Sequence, residues 1–337
     1  MTDQPKPAPQ ASDRIVLAGS DVGIPPMGVG TWAWGDRATW GMGGYDADLT
    51  MASIHDAWDA CFEAGVVLLD TAEVYGKGES ERIIGKLLAE DPERRAQAII
   101  ATKFMPSPWK VRVTGELLAS LRASLDRLGL PAADLYQLHG PISLRSHGAL
   151  ADALAAAHGE GLLKAVGVSN YSAKETRSIA SALSARGMRL ATNQIEYSLL
   201  RTMPDASGLL ACCAELGVVP LAYSPIGQGR LTGKYSAANP PPANRGFSNH
   251  PMEQVDTVVA ELCRISELHA EHTPSQVALA WLMAKGAVPI PGAKNRRQAE
   301  ENAGALGWQL TDVEIAALDA VALNGRRSLQ NRVWQHG

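Results

Sequence analysis

Short apolar runs, many of them rich in β-branched residues, alternate with stretches of helical spacing along all 337 residues. Eight of these runs read as strands. They are Met27–Trp32, Val66–Asp70, Ala98–Phe104, Asp134–His139, Lys164–Ser169, Ala191–Tyr197, Val218–Ser224 and Ala287–Gly292. Between them the apolar period changes from continuous to helical. Over Thr114–Gly129, Leu117, Leu118, Leu121, Leu125 and Leu128 fall on one helix face, and Gly129 and Pro131 then supply the stop. Pro274 opens a further helix, with Val277, Leu279, Ala280 and Trp281 as its apolar side.

Eight strand-then-helix units predict an α/β fold, a (β/α)8 TIM barrel with a parallel core and its working face at the C-terminal strand ends. An open doubly wound sheet is the alternative. It would more often carry G-x-G-x-x-G after its first strand, and that spacing does not occur. Val16–Gly23 reads as a hairpin ahead of the first strand. Tyr235–His250, rich in Pro, Asn and Gly, reads as a long loop of the lid type. The expected organisation is a disordered tail over 1–13, one barrel over 14–325 and a C-terminal tail over 326–337, with extended loops at the C-terminal face.

Composition narrows the function classes. The chain is 46% hydrophobic and 20% charged, with a formal charge of -4, so it has no electrostatic footprint for nucleic acid. No apolar stretch approaches a membrane span. Four cysteines without C-x-x-C spacing, and a polar, proline-rich N-terminus without a signal-peptide core, point to a reducing cytoplasm. No clustered ligands such as H-x-H provide a metal site, which disfavours a metal-dependent lyase or hydrolase.

The candidate chemistry lies at strand exits. Asp70 ends the second strand, Tyr75 stands in the loop after it, Lys103 lies near the end of the third, and His139 ends the fourth. Neighbouring strands are about 5 Å apart, so the four groups can meet. A phenol of pKa near 10 is a poor general acid at neutral pH, but a neighbouring ammonium stabilises its phenolate. Lys103 can supply that charge, Asp70 can orient Lys103, and His139 can donate to an oxygen gaining charge. Such a set protonates an alkoxide while another group supplies hydride.

These residues sit in LDTAEVYG, ATKF and YQLHGP, which closely resemble the aldo-keto reductase superfamily. The likeness continues through KAVGVSNYS, NQIEYSLL, LAYSPIGQGRLTGKY and VPIPGAKNRRQAEEN, in the family's order. It implies the catalytic tetrad Asp70, Tyr75, Lys103 and His139, and a nicotinamide cofactor held without a Rossmann motif or P-loop. Tyr223 would stack on the nicotinamide, and Ser169, Asn170 and Gln194 would hold its carboxamide. Ser224, Pro225, Ile226, Gly227, Gln228 and Lys234 would line the pyrophosphate. Gly30, Thr31 and Trp32 would border the nicotinamide ribose and the substrate.

At the adenosine end the chain departs from the commonest family signature, with Gly292 and Ala293 in place of Lys-Ser and Gln298 in place of an arginine. It resembles instead the branch of potassium-channel β-subunit-like and related bacterial reductases. There Gln298, Glu301 and Asn302 would hold the adenine and its ribose. Lys294, with Arg296 or Arg297, would meet a 2′-phosphate, favouring NADPH over NADH.

Trp32, Trp34, Trp40 and Trp109, with Met105, occur in or beside strand-exit loops of a chain only 5% aromatic. They suggest a flat apolar slot for an aromatic or conjugated aldehyde or ketone. The leading expectation is a cytoplasmic NADPH-dependent carbonyl reductase acting on small molecules, with neither nucleic-acid nor membrane partner. A nucleotide-sensing regulatory subunit with slow turnover is the alternative.

Overall fold

The eight apolar runs each form a strand in the computed structural model, which describes residues 7–35, 49–242, 249–269, 271–325 and 333–337. A hairpin of β1 (Ile15–Val16) and β2 (Gly23–Ile24) precedes them, as the sequence predicts. The barrel strands are β3 (Gly28–Gly30), β4 (Leu68–Asp70), β5 (Ile99–Phe104), β6 (Ala133–Leu138), β7 (Leu163–Ser169), β8 (Leu190–Glu196), β9 (Val219–Tyr223) and β10 (Val288–Pro289). They pair in parallel in sequence order, and an isolated bridge from Gly30 to Gly292 brings β3 against the segment just after β10. This is a (β/α)8 barrel.

Side chains two apart on a strand share a face. Leu68, Ala101, Leu135, Ala165, Leu221 and Val288 therefore form one apolar layer inside the barrel. Leu17, Val22 and Ile24 of the hairpin join that cluster, so the hairpin plugs the barrel floor. A plugged floor leaves the opposite, C-terminal end as the mouth.

Helix boundaries follow local chemistry. The helix Val113–Leu128 ends where Gly129 adopts φ 65, a conformation that costs glycine little. Thr273 and Gln276 form a capping box around Pro274 at the start of Pro274–Ala284. One-sided burial was expected for that helix. Instead Ser275 through Leu282 are all buried, because the helix lies under its neighbours as well as on the barrel.

Other differences concern the ends of elements. Trp32 was read as the end of the first strand, but it starts a short helix, Trp32–Gly35. Within the expected tail over 1–13, the Pro9 carbonyl accepts from Gly307 N–H at 2.8 Å. Residues 1–6 lie outside the described residues, as do 36–48 of the first mouth loop, 243–248 of the expected lid, and 326–332. The last five residues return to the barrel mouth, as set out below. Among the described residues no helix is long and apolar enough to cross a membrane.

Candidate active site

The layer above the apolar floor is polar, because each strand places a second inward side chain two residues on. Leu68 is followed by Asp70, Ala101 by Lys103, Leu135 by Gln137, Ala165 by Gly167 and Leu221 by Tyr223. Pairing aligns these strands, with Asp70 opposite Ala101 and Lys103 opposite Gln137. The next inward residue of the fourth barrel strand is His139.

Lys103 is fully buried and spends all three ammonium protons. Its Nζ donates to Asp70 Oδ2 at 2.6 Å, to the Thr71 carbonyl at 2.7 Å and to Tyr75 Oη at 3.2 Å. Burial presses its pKa down, and the Asp70 carboxylate works against that shift. The tetrad named from sequence is thus brought together around one cation.

Tyr75 is delivered by a turn over Tyr75–Gly78 in which Gly76, Lys77 and Gly78 have φ 57, 56 and 86. A Cβ on Gly76 would lie 2.0 Å from the Gly35 carbonyl oxygen, so only glycine permits the approach. The Tyr75 and His139 rings meet edge to face with centroids 5.6 Å apart. Burial, and then the charge of Lys103, hold His139 well below the ordinary histidine value. Its imidazole is therefore neutral, with one N–H to donate.

Around the tetrad lies a second polar group. Gln194 Nε2 donates to Asp70 Oδ1 at 2.7 Å. Ser169 Oγ donates to the Gln194 carbonyl, Asn170 Nδ2 to Ser169 Oγ, and Tyr223 Oη to Asn170 Oδ1. Asn170, Ser224 and Gln228 hold φ of 63, 50 and 53. Left-handed conformations at non-glycine residues cost about 1–3 kcal/mol each and gather at binding sites. Three of them at the exits of β7 and β9 suit a cradle for an extended nucleotide. Gly227 and Gly229 open the same loop at φ 57 and 91, and Arg230, buried, donates to the Gly227 carbonyl. Lys234, further along, sits with its Nζ 4.7 Å from the Tyr235 ring centroid.

The residues expected at an adenosine end are more committed to one another than the sequence suggests. Arg296 grips Glu63 with two N–H groups, at 2.7 and 3.2 Å, and Arg297 pairs with Glu301 at 3.0 Å. Gln298 Oε1 accepts from the Lys294 backbone N–H at 3.0 Å, and Asn302 Nδ2 donates to the Gly292 carbonyl. Lys294, Arg296 and Gln298 stand at or just before the start of the helix Arg296–Ala303, where backbone N–H groups favour an anion, and Glu301 and Asn302 in its last turn.

Several expected pocket residues stand elsewhere. Trp34 is only 2% exposed and donates its indole N–H to the Ala293 carbonyl, so it packs the first helix and does not wall the slot. Thr31 is fully buried, its hydroxyl bonded to the Asp70 carbonyl and to Ser80, so it supports the site from beneath. Trp109 is 77% exposed. Lys110 beside it takes an inward position instead, over the Phe104 ring and toward Glu73. Met105 stays at the rim, its backbone N–H bonded to Glu73. Trp32 is half-buried next to Gly30, and Trp40 lies outside the described residues.

The C-terminal residues supply what sequence reasoning missed. The Trp334 indole meets His139 edge-on at 5.4 Å, and a Cβ on Gly140 would collide with that indole at 2.9 Å. Gln335 Nε2 donates to Tyr223 Oη and to Glu196, while His336 N–H donates to the Asn170 carbonyl. Arg201 secures the segment by donating to the Gly337 carbonyl at 2.6 Å. Five residues without periodicity carry no signal of this docking. A lone tryptophan in an expected tail is the nearest to one.

Comparison with known proteins gives a consistent picture. Residues 26–323 match the aldo/keto reductase family. The chain is 35% identical over 325 residues to the chloroplastic pyridoxal reductase of Arabidopsis thaliana, covering 93% of this chain and 87% of that one. It is 30% identical over 274 residues to an NADP(+) aldo-keto reductase of Schizosaccharomyces pombe, covering 75% and 77%. The glycerol dehydrogenase of Gluconobacter oxydans superposes with a TM-score of 0.78 at 28% identity, covering 95% of this chain and 99% of that one.

Proposed function

Because the chain belongs to the aldo/keto reductase family, we propose that it is an NADPH-dependent reductase converting aldehydes or ketones to alcohols, with Tyr75 as proton donor. The observation that carries this reading is that one buried ammonium, Lys103, touches both Asp70 and Tyr75 Oη. An ammonium there stabilises the phenolate left when Tyr75 gives up its proton. Asp70 orients the ammonium, and the Thr71 carbonyl holds its third proton, so Lys103 cannot swing away.

A substrate carbonyl oxygen lying between Tyr75 and His139 accepts from the phenol O–H and from the neutral imidazole N–H. A nicotinamide held beside Tyr223, Ser169, Asn170 and Gln194 would supply the hydride. As the oxygen gains charge, His139 strengthens its hydrogen bond and Tyr75 transfers its proton to that oxygen, leaving an alcohol. Burial of the layer keeps these dipoles fixed and water out.

Tyr223, Ser169, Asn170 and Gln194 would hold the nicotinamide end, and the strained loop from Ser224 to Gln228, with Pro225, Ile226, Gly227 and Lys234, the pyrophosphate. Gly292, Lys294, Arg296, Gln298, Glu301 and Asn302 would take the adenosine end. Support for NADPH comes from the cations at the start of the helix Arg296–Ala303 and from the designation of the fission-yeast relative. Support for an aromatic aldehyde comes from Trp32 and Trp334 at the mouth and from the pyridoxal-reducing relative. Free cysteines fit a reducing, cytoplasmic setting.

The test is steady-state NADPH oxidation with a panel of aromatic and aliphatic aldehydes, pyridoxal included. Turnover that depends on Tyr75 supports the reading. Tight NADPH binding without turnover of any aldehyde would instead favour a nucleotide-sensing subunit.

A further inference from the structure

Barrel interiors are normally filled by branched apolar side chains, and a buried amide costs free energy unless its polar atoms are used. Gln137 is such an amide. It points inward from β6, between Leu135 below and His139 above, and is fully buried. Its Nε2 faces Asp70 Oδ1 at 3.4 Å, and its Oε1 accepts from Thr192 Oγ1 at 3.3 Å. A carboxylate oxygen facing an amide calls for the N–H side of that amide, which settles its orientation.

Room for this pair is provided by the neighbouring strand. A Cβ on Gly167 would stand 2.1 Å from Thr192 Oγ1 and 2.8 Å from Gln137 Cγ. The β7–β8 register also shifts at Val166/Gly167, beside the same residues. An apolar strand residue is thus replaced by glycine where an amide and a hydroxyl need the space.

We propose that Gln137 is a positioning residue of the proton-donating cluster, holding the Asp70 carboxylate together with Gln194 so that Oδ2 stays on Lys103. The inference rests on the reductase reading above. Two amides lie on Oδ1, at 2.7 Å from Gln194 and 3.4 Å from Gln137, while the ammonium lies on Oδ2. Rotating the carboxylate would give up all three. At 3.4 Å Gln137 acts more as a fixed dipole than as a full hydrogen bond, so its effect is smaller than that of Gln194. Gln194 is also assigned to the carboxamide, which makes Gln137 the member whose role can be read without disturbing cofactor binding.

The charged and titratable groups facing the pair of Lys103 and Tyr75 are Asp70, His139, Tyr223 and, behind Thr102, Glu81. Tyr75 and Lys103 lose their first proton at high pH as a coupled pair. A carboxylate held against them favours the protonated pair, wherever the proton leaves from. Loosening Asp70 therefore moves the alkaline limb of the rate profile to lower pH.

The experiment compares the parent protein with Gln137→Met, which keeps the volume and removes the amide, and Thr192→Val, which keeps Gln137 but removes its anchor. The readouts are the pH profile of kcat for aldehyde reduction, NADPH affinity by fluorescence, and the thermal melt. Gln137→Met should shift the alkaline limb down by about half a pH unit and lower kcat several-fold, with NADPH affinity unchanged. Thr192→Val should move the limb the same way by less. A melt and rate that fall with the limb in place would overturn the inference and leave the reductase reading intact. A parent protein that binds NADPH and reduces no aldehyde would overturn both.

Discussion

The indole of Trp334 covers the imidazole of His139, ring edge to ring face, with centroids 5.4 Å apart. Residue 334 thereby becomes part of the wall behind a histidine almost two hundred positions earlier. Replacing Trp334 with alanine removes an aromatic surface at the carbonyl position, and such contacts are worth roughly 0.5–1.5 kcal/mol beyond their area. We expect kcat/KM for aromatic aldehydes to fall about tenfold, with small aliphatic aldehydes affected much less. Equal losses across the panel would show that the indole merely supports the rim.

Tyr75→Phe keeps the ring that packs against His139 and removes the phenol that Lys103 reaches at 3.2 Å. Loss of a general acid typically costs 10²–10⁴-fold, and the upper end is expected because no other O–H is assigned to the carbonyl oxygen. NADPH affinity, read by fluorescence, should be unchanged. Turnover at the parent rate would place the proton donor elsewhere.

His139 gives a signature in stability. Burial, and then Lys103, depress its pKa in the folded state well below the ordinary histidine value of 6.5. The unfolded chain therefore binds the proton first, and below about pH 6.5 stability falls as pH falls. His139→Gln removes that linkage. Urea midpoints measured across mildly acid pH should decline less steeply in the variant than in the parent. Identical slopes would mean that His139 is not buried as a neutral ring.

Cofactor choice can be examined at the helix Arg296–Ala303. Lys294→Met should weaken NADPH about tenfold and leave NADH nearly unchanged, since a hydrogen bond to a charged group is worth about 1.5–3 kcal/mol. Arg296 behaves differently, because Glu63 already occupies two of its N–H groups. Glu63→Gln should tighten NADPH by about twofold, since a solvent-screened surface pair competes only weakly for the guanidinium. Isothermal titration with both nucleotides decides between these outcomes; equal changes for NADPH and NADH would remove the 2′-phosphate assignment.

How legible this was in the sequence depends on what each feature requires. Strand exits such as Asp70 and Lys103 follow from short apolar runs and a period of two, which are local. Gln137 has the same period, but it stands inside an apolar strand where nothing local says what it faces. Trp34 and Trp109 were both expected in the slot. Trp34 is instead bonded to the Ala293 carbonyl, a tertiary contact with no local signal, and Trp109 stands in solvent. The docking of Val333–Gly337 is the extreme case, since its partners Arg201, Glu196, Tyr223 and Asn170 come from other strands and loops.

The close approach of Gly76 to the Gly35 carbonyl has a consequence for how substrate fit and proton delivery are linked. Gly35 ends the short helix that begins with Trp32, and Gly76 directly follows Tyr75. With no side chain between the two backbones, neither loop can give way without pushing the other. A guest that wedged against Trp32 would therefore also shift the angle of the phenol, so a poorly shaped carbonyl compound would meet a misaimed acid as well as a crowded slot. Discrimination would then show as much in turnover as in affinity.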